Sequence, residues 1–126
     1  MLHFYKDLTN YIYTQNENNS WISFDFKKHM VIPTGYIIRS YHFTSHSHLK
    51  TWVIEGSNDN TTWKILDSQQ NNSYLNGCSF VHLFPISSNK DEEESFRYLR
   101  IKQTDASWAN DYHLLINSIE FYGKII

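Results

Sequence analysis

The 126-residue sequence predicts one all-β domain, a sandwich of about eight antiparallel strands. Short segments in which apolar and polar residues alternate recur along the chain, and loops rich in Asn, Ser and Asp separate them. No segment sustains a helical period. In addition, 17% of the residues are aromatic, while only four are Gly and two are Pro. This is the bulky, β-forming composition of a sandwich core.

The first strands follow from alternation. Residues Trp21 to Phe26 alternate with period two, which puts Ile22, Phe24 and Phe26 on one face. A turn signal at Pro33-Thr34-Gly35 precedes a second apolar run, YIIRSY. We therefore predict that the second strand begins after this turn.

A β-hairpin is the clearest local element. Thr51 to Gly56 is rich in β-branched and aromatic residues, Ser57 to Asn60 is a dense turn signal, and Thr61 to Leu66 alternates again. A further strand is predicted from Cys78 to Ile86, where Pro85 favours an edge strand or the end of a strand. Two more are predicted in the segments FRYLRIK, with Leu99 and Ile101 towards the core, and LLINSIEFYG. The acidic segment SSNKDEEES, which lies between the Cys78 to Ile86 strand and FRYLRIK, is predicted to be a solvated loop.

Four of these motifs, taken together, resemble a known family. The strings WISFDF, WVIEGSND followed by Trp63, FRYLRIK and LLINSIEFYG stand in the order typical of the discoidin domain, also called the coagulation factor type C domain. The resemblance runs from about Asp7 to Gly123 and is greatest to short modules in intracellular proteins of single-celled eukaryotes. It implies a galactose-binding-like jelly-roll β-sandwich, a single domain over residues 1–126.

The amino terminus departs from the family pattern. Complete members carry a strand or two before the segment that resembles LTNYIYTQNENNSW, and here the chain begins almost on that segment. We expect either that the sequence is a fragment whose domain lacks its first strand or that the domain completes its sheet in another way. A missing strand would leave an open sheet edge, to which a protein partner could add a strand.

Composition restricts the classes of binding partner and the cellular location that we expect. The net charge of −2 argues against nucleic acid and an anionic membrane surface. No stretch approaches the roughly 20 apolar residues of a membrane span, and a secretory signal is not evident. The single Cys78 cannot form an internal disulfide, which favours a cytoplasmic, reducing location. Three glycosylation triplets, at Asn18, Asn60 and Asn71, point the other way, but an Asn-rich chain produces them by chance.

Catalytic and metal chemistry are not indicated. The loop with His42, His46 and His48 has imidazoles spaced for a metal, yet it contains no Asp or Glu, and exposed loop histidines are the preferred interpretation. Cys78 lies in an apolar alternating segment and is interpreted as a small buried residue. The sequence contains no recognisable catalytic triad and no pair of carboxylates placed for acid–base catalysis. We expect no metal, no cofactor and no enzyme activity.

The resemblance implies that ligands bind the loops at one end of the sandwich. Sugar binding needs an aromatic plate and polar side chains that hold hydroxyl groups. The candidate residues are Tyr11, Tyr13, Arg39, Tyr41, His42, His46, Trp108, Asn110, Tyr112 and His113.

These candidates have structural alternatives. Arg39 is also suited to pair with Asp25 or Glu55. Trp21 and Trp63 are assigned to packing, whereas Trp108 is equally compatible with an exposed contact.

Two functions remain open. The first is an intracellular protein–protein adaptor or structural subunit of a larger assembly, such as a cytoskeletal or ligase complex. The alternative is a carbohydrate-binding lectin-type module that uses the loop-end residues around Arg39 and Trp108.

Overall fold

The computed structural model describes residues 2–6, 11–43, 46–87 and 94–126, and for 2–6 only the backbone is considered. These residues form nine β-strands: β1 Leu2–Lys6, β2 Ile12–Tyr13, β3 Trp21–Asp25, β4 Val31–Ser40, β5 Trp52–Ser57, β6 Lys64–Gln69, β7 Val81–Pro85, β8 Tyr98–Gln103 and β9 Leu115–Ile125. The described part of the chain contains no helix that is long and apolar enough to cross a membrane.

The strands form two antiparallel sheets that pack face to face. In the five-stranded sheet the order is β1-β9-β4-β7, with β2 also paired to β9, and in the four-stranded sheet it is β3-β8-β5-β6. Successive strands often alternate between the sheets, which is the arrangement of a jelly roll. The predicted all-β jelly-roll sandwich is confirmed.

The core lies between the two inner faces. Alternation puts Tyr36 and Ile38 of β4 inside, opposite Leu99 and Ile101 of β8, and all four side chains are fully buried. Ile22, Phe24 and Phe26 pack against this core from one face of the β3 segment, as predicted. The buried tryptophan of the hairpin is Trp52.

The expectation of a missing first strand is wrong for this chain. Residues Leu2–Lys6 form β1, which pairs antiparallel with β9 from Leu2 opposite Gly123 to Lys6 opposite Ile119. A five-residue strand next to the chain terminus carries too little alternation to be recognised, and its pairing with distant β9 decides its structure. Because β1 and β2 cover the edge of β9, the predicted open edge is not at this strand.

Three local predictions also need correction. Pro33 and Gly35 do not form a turn before the strand. They lie within β4 and flank a shift in its register with β9, so the predicted turn is a β-bulge within the strand. The strand predicted from Cys78 begins only at Val81, and Cys78 itself is exposed in the preceding loop. The hairpin is confirmed, although its second strand starts at Lys64. The acidic loop lies largely outside the described residues.

Candidate functional site

Four connections between the sheets meet at one end of the sandwich, which we call the loop end. Strand register shows this. Ser40 at the end of β4 pairs with Ile116, the second residue of β9, and Trp52 at the start of β5 lies between the ends of β6 and β8. The connections comprise residues 14–20, 41–43 with 46–51, 70–80 and 104–114. The predicted site residues lie in or next to these segments, except Tyr11, which precedes β2, and Arg39, which lies within β4.

An aromatic cleft of about 260 Å³ opens at the loop end, next to β2. Its walls are Tyr11, Tyr13, Tyr41, His46 and Leu115. Tyr11 and Tyr13 are 45% and 56% exposed, whereas Tyr41 and Leu115 are buried and form the base. The cleft therefore combines accessible aromatic rings, phenolic hydroxyls and one imidazole.

The fold holds the two exposed tyrosines in place. In β2, Ile12 packs against the core, and the alternation turns its neighbours Tyr11 and Tyr13 away from it. The ring of Tyr11 meets Tyr41 edge to face, with centroids 5.0 Å apart. Such contacts contribute about 1 kcal/mol each, so the tyrosine ring has a preferred orientation.

Tyr13 is positioned by His113. Their rings stack with centroids 4.5 Å apart, and the Tyr13 hydroxyl lies 3.2 Å from Nε2 of His113. Nδ1 of His113 lies 2.8 Å from the carbonyl oxygen of Thr14, and since a carbonyl only accepts, this nitrogen carries the proton. Nε2 is then the acceptor for the Tyr13 hydroxyl. His113 thus supports one wall of the cleft.

The three loop histidines separate into two environments. His42 and His46 are exposed, as predicted; His42 Nδ1 lies 3.2 Å from Asn117 Oδ1, and His46 meets Tyr41 edge to face at 5.2 Å. The same prediction is wrong for His48, which is buried. Burial lowers the pKa of His48 because the charged imidazolium loses its hydration.

Trp108 is anchored and is not an open plate. Its indole Nε1 donates to the carbonyl oxygen of Asn72 at 3.2 Å, and its backbone N–H donates to the carbonyl oxygen of His48 at 3.0 Å. The Lys50 ammonium lies 4.6 Å from the ring centre. The half-buried ring therefore joins three of the loop-end segments and lies outside the lining of the cleft.

The loop that carries Trp108 is braced by Asp111. Its carboxylate accepts hydrogen bonds from the hydroxyls of Ser47 at 2.6 Å and Ser107 at 2.8 Å. Burial raises the pKa of Asp111, but these hydrogen bonds outweigh that effect and hold the pKa below its usual value. The neighbouring Asn110 is exposed, and the backbone N–H of Tyr112 donates to Asn16 Oδ1 at 2.7 Å.

Arg39 lies away from the cleft. It is exposed on the outer face of the five-stranded sheet, between Val81 of β7 and Ser118 of β9. The alternative pairings predicted for it are also wrong, because Asp25 and Glu55 bind other arginines, Arg97 and Arg100, at 2.9 Å each.

The packing role predicted for Trp21 and Trp63 is wrong for Trp21, whereas Trp63 packs against Arg100 and outside the core. Trp21 is 54% exposed at the start of the edge strand β3, and half-buried Trp63 lies over Arg100, on the outer face of the four-stranded sheet. The alternation WISFDF contained the signal, because it places Trp21 opposite the core-facing residues. Within the described residues, no group of three or more His, Cys, Asp or Glu could hold a metal ion.

Comparison with known proteins finds sequence similarity to a ubiquitin ligase. No family model matches the chain. A stretch of 115 residues is 26% identical to the E3 ubiquitin-protein ligase Ufd4 of Drosophila melanogaster, and the match covers 90% of this chain but only 4% of the ligase. The chain thus spans a very small part of that relative.

Solved structures of several sugar-binding modules are similar in fold. CpGH89CBM32-5 from Clostridium perfringens, in complex with GalNAc-β-1,3-galactose, has a TM-score of 0.70 at 6% identity, with 91% of this chain and 76% of that chain covered. CpGH89CBM32-6 from the same organism has a TM-score of 0.62 at 22% identity, covering 90% and 76%. The lectin domain of lectinolysin, complexed with Lewis B antigen, has 0.64 at 15% identity, covering 90% and 72%. The chain therefore shares the jelly-roll β-sandwich fold of these modules.

Proposed function

We propose that this chain is a non-catalytic carbohydrate-binding module whose ligand occupies the aromatic cleft at the loop end. The observation that carries the proposal is the cleft itself, in which Tyr11 and Tyr13 stand exposed above a base of Tyr41 and Leu115. Similarity in fold to modules described with bound saccharides supports the same ligand class.

The chemistry of the cleft fits a sugar ring. A pyranose has a face of C–H groups that stacks on aromatic rings, and hydroxyl groups at its edge that need donors and acceptors. The tyrosine rings supply the stacking surface. The hydroxyls of Tyr11 and Tyr13 and the exposed imidazole of His46 supply polar contacts around it. Because His113 and Tyr41 already orient these tyrosines, little side-chain freedom is lost when a ligand binds.

A glycan array tests the proposal. We expect the wild-type chain to bind a restricted set of glycans, and the variants Tyr11→Ala and Tyr13→Ala to lose that binding by about tenfold or more. Both residues are exposed, so the variants are expected to fold. Tyr74→Ala is the matched control, because Tyr74 is a similarly exposed tyrosine outside the lining of the cleft. A blank array, or equal loss in the control, would contradict the proposal.

The second candidate function is a cytoplasmic protein–protein adaptor within a larger assembly, cytoskeletal or ubiquitin ligase. The relative supports it, since the matching 115 residues are embedded in a far longer ubiquitin ligase. A groove of about 410 Å³ on the outer face of the five-stranded sheet supports it as well, because its lining includes Ile37, Leu83 and Tyr122. Leu83 is 56% exposed there. Exposed apolar surface of this kind is typical of protein interfaces.

Quantitative affinity purification separates the two functions. We expect an adaptor to retain a partner that the variant Leu83→Asp loses and that binds the purified wild-type chain directly. Tyr13→Ala serves as the reciprocal control, because it alters the cleft and leaves the sheet face unchanged. If Leu83→Asp retains every partner, the sheet face is not the adaptor surface.

A further inference from the structure

We infer that a second saccharide subsite lies beside the cleft, in a depression of about 240 Å³ formed by Thr14, Gln15, Glu17, Ser20 and Trp21. We call it the Trp21 depression. The inference rests on the proposed saccharide-binding function, because it extends the same ligand class to a second surface. It implies a preference for oligosaccharides over single sugars.

The platform of this subsite is the indole of Trp21. The ring is 54% exposed, although tryptophan is the side chain with the most to gain from burial. The guanidinium of Arg100 lies 5.2 Å from the ring centre and supports the indole from the sheet side. Arg100 is itself fixed, since its Nε donates to Glu55 at 2.9 Å and it lies 3.9 Å from the ring centre of Trp63. The indole is therefore held in place while more than half of its surface stays accessible.

The polar rim comes from the loop between β2 and β3. The loop is internally bonded: the Ser20 hydroxyl donates to the Glu17 carbonyl at 2.7 Å, and the Glu17 N–H donates to the Gln15 carbonyl at 2.8 Å. These bonds use backbone oxygens, and the side chains of Gln15 and Glu17 are exposed at the depression. A carboxylate can accept from two adjacent sugar hydroxyls, and an amide can both donate and accept. A rigid aromatic plate with such a rim has the composition of a sugar site.

The two surfaces adjoin along the chain. Tyr13 lines the cleft and the next residue, Thr14, lines the Trp21 depression. The Thr14 hydroxyl accepts from Leu114 N–H at 2.8 Å, which ties this junction to the base of the loop end. Under this inference, a ligand of several sugar units crosses residues 13 and 14 to contact both surfaces.

Nuclear magnetic resonance titration of the ¹⁵N-labelled chain tests the inference. The probes are glucose, galactose, mannose and fucose, and β-linked gluco- and galacto-oligosaccharides of two to five units. We expect the indole N–H signal of Trp21, assigned with Trp21→Phe, to shift with one or more oligosaccharides, and Trp21→Ala to weaken their binding by about tenfold. Glu17→Gln is expected to weaken binding less, and Tyr74→Ala to leave it unchanged.

The outcomes distinguish the two proposals. If saccharides shift the signals of Tyr11 and Tyr13 but never that of Trp21, the second subsite is wrong and the cleft stands. If Trp21 shifts and the cleft signals do not, the Trp21 depression is a site by itself and the cleft is excluded. If no probe shifts any of these signals, both are contradicted.

Discussion

Arg100 and Glu55 form an ion pair on the outer face of the four-stranded sheet, with 2.9 Å between Arg100 Nε and Glu55 Oε1 and only 12% and 10% of the two side chains exposed. The residues are direct neighbours across β8 and β5. Trp63 lies over the guanidinium at 3.9 Å and shields the pair from water. A charge pair that is covered in this way depends strongly on both partners.

Removal of Glu55 is therefore expected to destabilise the fold. We expect Glu55→Ala to lower the free energy of unfolding by about 3 kcal/mol, because it leaves the Arg100 charge uncompensated in a shielded position. Urea denaturation measures the change. Asp25→Ala is the matched control, since Asp25 binds Arg97 at the same 2.9 Å but in an exposed position, and it is expected to cost much less. Equal effects of the two substitutions would disprove the role of shielding.

A buried hydrogen-bond chain gives a second prediction. Trp52 Nε1 donates to the Tyr36 hydroxyl at 3.0 Å, and that hydroxyl donates to Asp67. Burial raises the pKa of Tyr36, so it stays protonated and can donate. We expect Tyr36→Phe to cost about 2 kcal/mol, because it leaves the Trp52 N–H without its acceptor. Thermal and urea unfolding measure this. Tyr74→Phe, at an exposed tyrosine, should leave stability unchanged, and no loss in Tyr36→Phe would contradict the prediction.

The hairpin turn makes stability depend on pH. Backbone N–H groups of Thr62 and Thr61 and the Ser57 hydroxyl bind the Asp59 carboxylate and lower its pKa from 3.8 to about 2. A group with a depressed folded-state pKa stabilises the fold above its unfolded pKa and loses this effect as pH falls through the folded pKa. We therefore expect wild type to exceed Asp59→Asn in stability above pH 4, and the difference to vanish towards pH 2.

Two measurements check this titration. Urea midpoints of both chains across pH 2 to 6 give the stability difference. The ¹³C shift of the Asp59 carboxyl carbon gives its pKa directly. A carboxyl that titrates near its ordinary value of 3.8 would show that the turn does not bind the charge.

Gly123 provides a prediction about close backbone approach. It has a φ of 155°, and a Cβ at this position would lie 1.9 Å from the carbonyl oxygen of Ile32 on β4. Since β4 and β9 pair here, the clash cannot be relieved by a side-chain rotation. We expect Gly123→Ala to cost at least about 3 kcal/mol. Gly35→Ala is the comparison: its nearest contact would be 3.3 Å, so a smaller loss is expected. A similar loss in both variants would contradict this account.

Period-two alternation explains why so much of the sandwich could be predicted. It correctly assigned the inward residues Ile22, Phe24, Leu99 and Ile101, because a strand that covers a core on one side must alternate. The same rule placed Trp21 on the opposite face, but its position in a strand motif that recurs in the resembled family suggested packing. Only the neighbours of Trp21 decide its exposure, and these come from a different strand, β8.

At the loop end, too, the sequence predicted which residues collect there but not which contacts they make. These residues were predicted from the family resemblance, which implies ligand-binding loops at one end of the sandwich, yet their roles depend on contacts between segments far apart in sequence. Tyr13 is oriented by His113, and Trp108 is held by Asn72 and His48. No local pattern distinguishes an anchored loop tryptophan from an exposed one.

The sequence by itself determined the fold class, the strands with strong alternation and the end of the sandwich at which the aromatic and imidazole residues collect. Only the tertiary structure decided that Leu2–Lys6 forms a strand, that Tyr11 and Tyr13 share a cleft, and that Trp21 stays accessible over Arg100. The physical reason is the distance along the sequence between the residues that decide each feature. Alternation is a property of neighbouring residues, whereas strand pairing and side-chain exposure are set by residues that the fold brings together from distant parts of the chain.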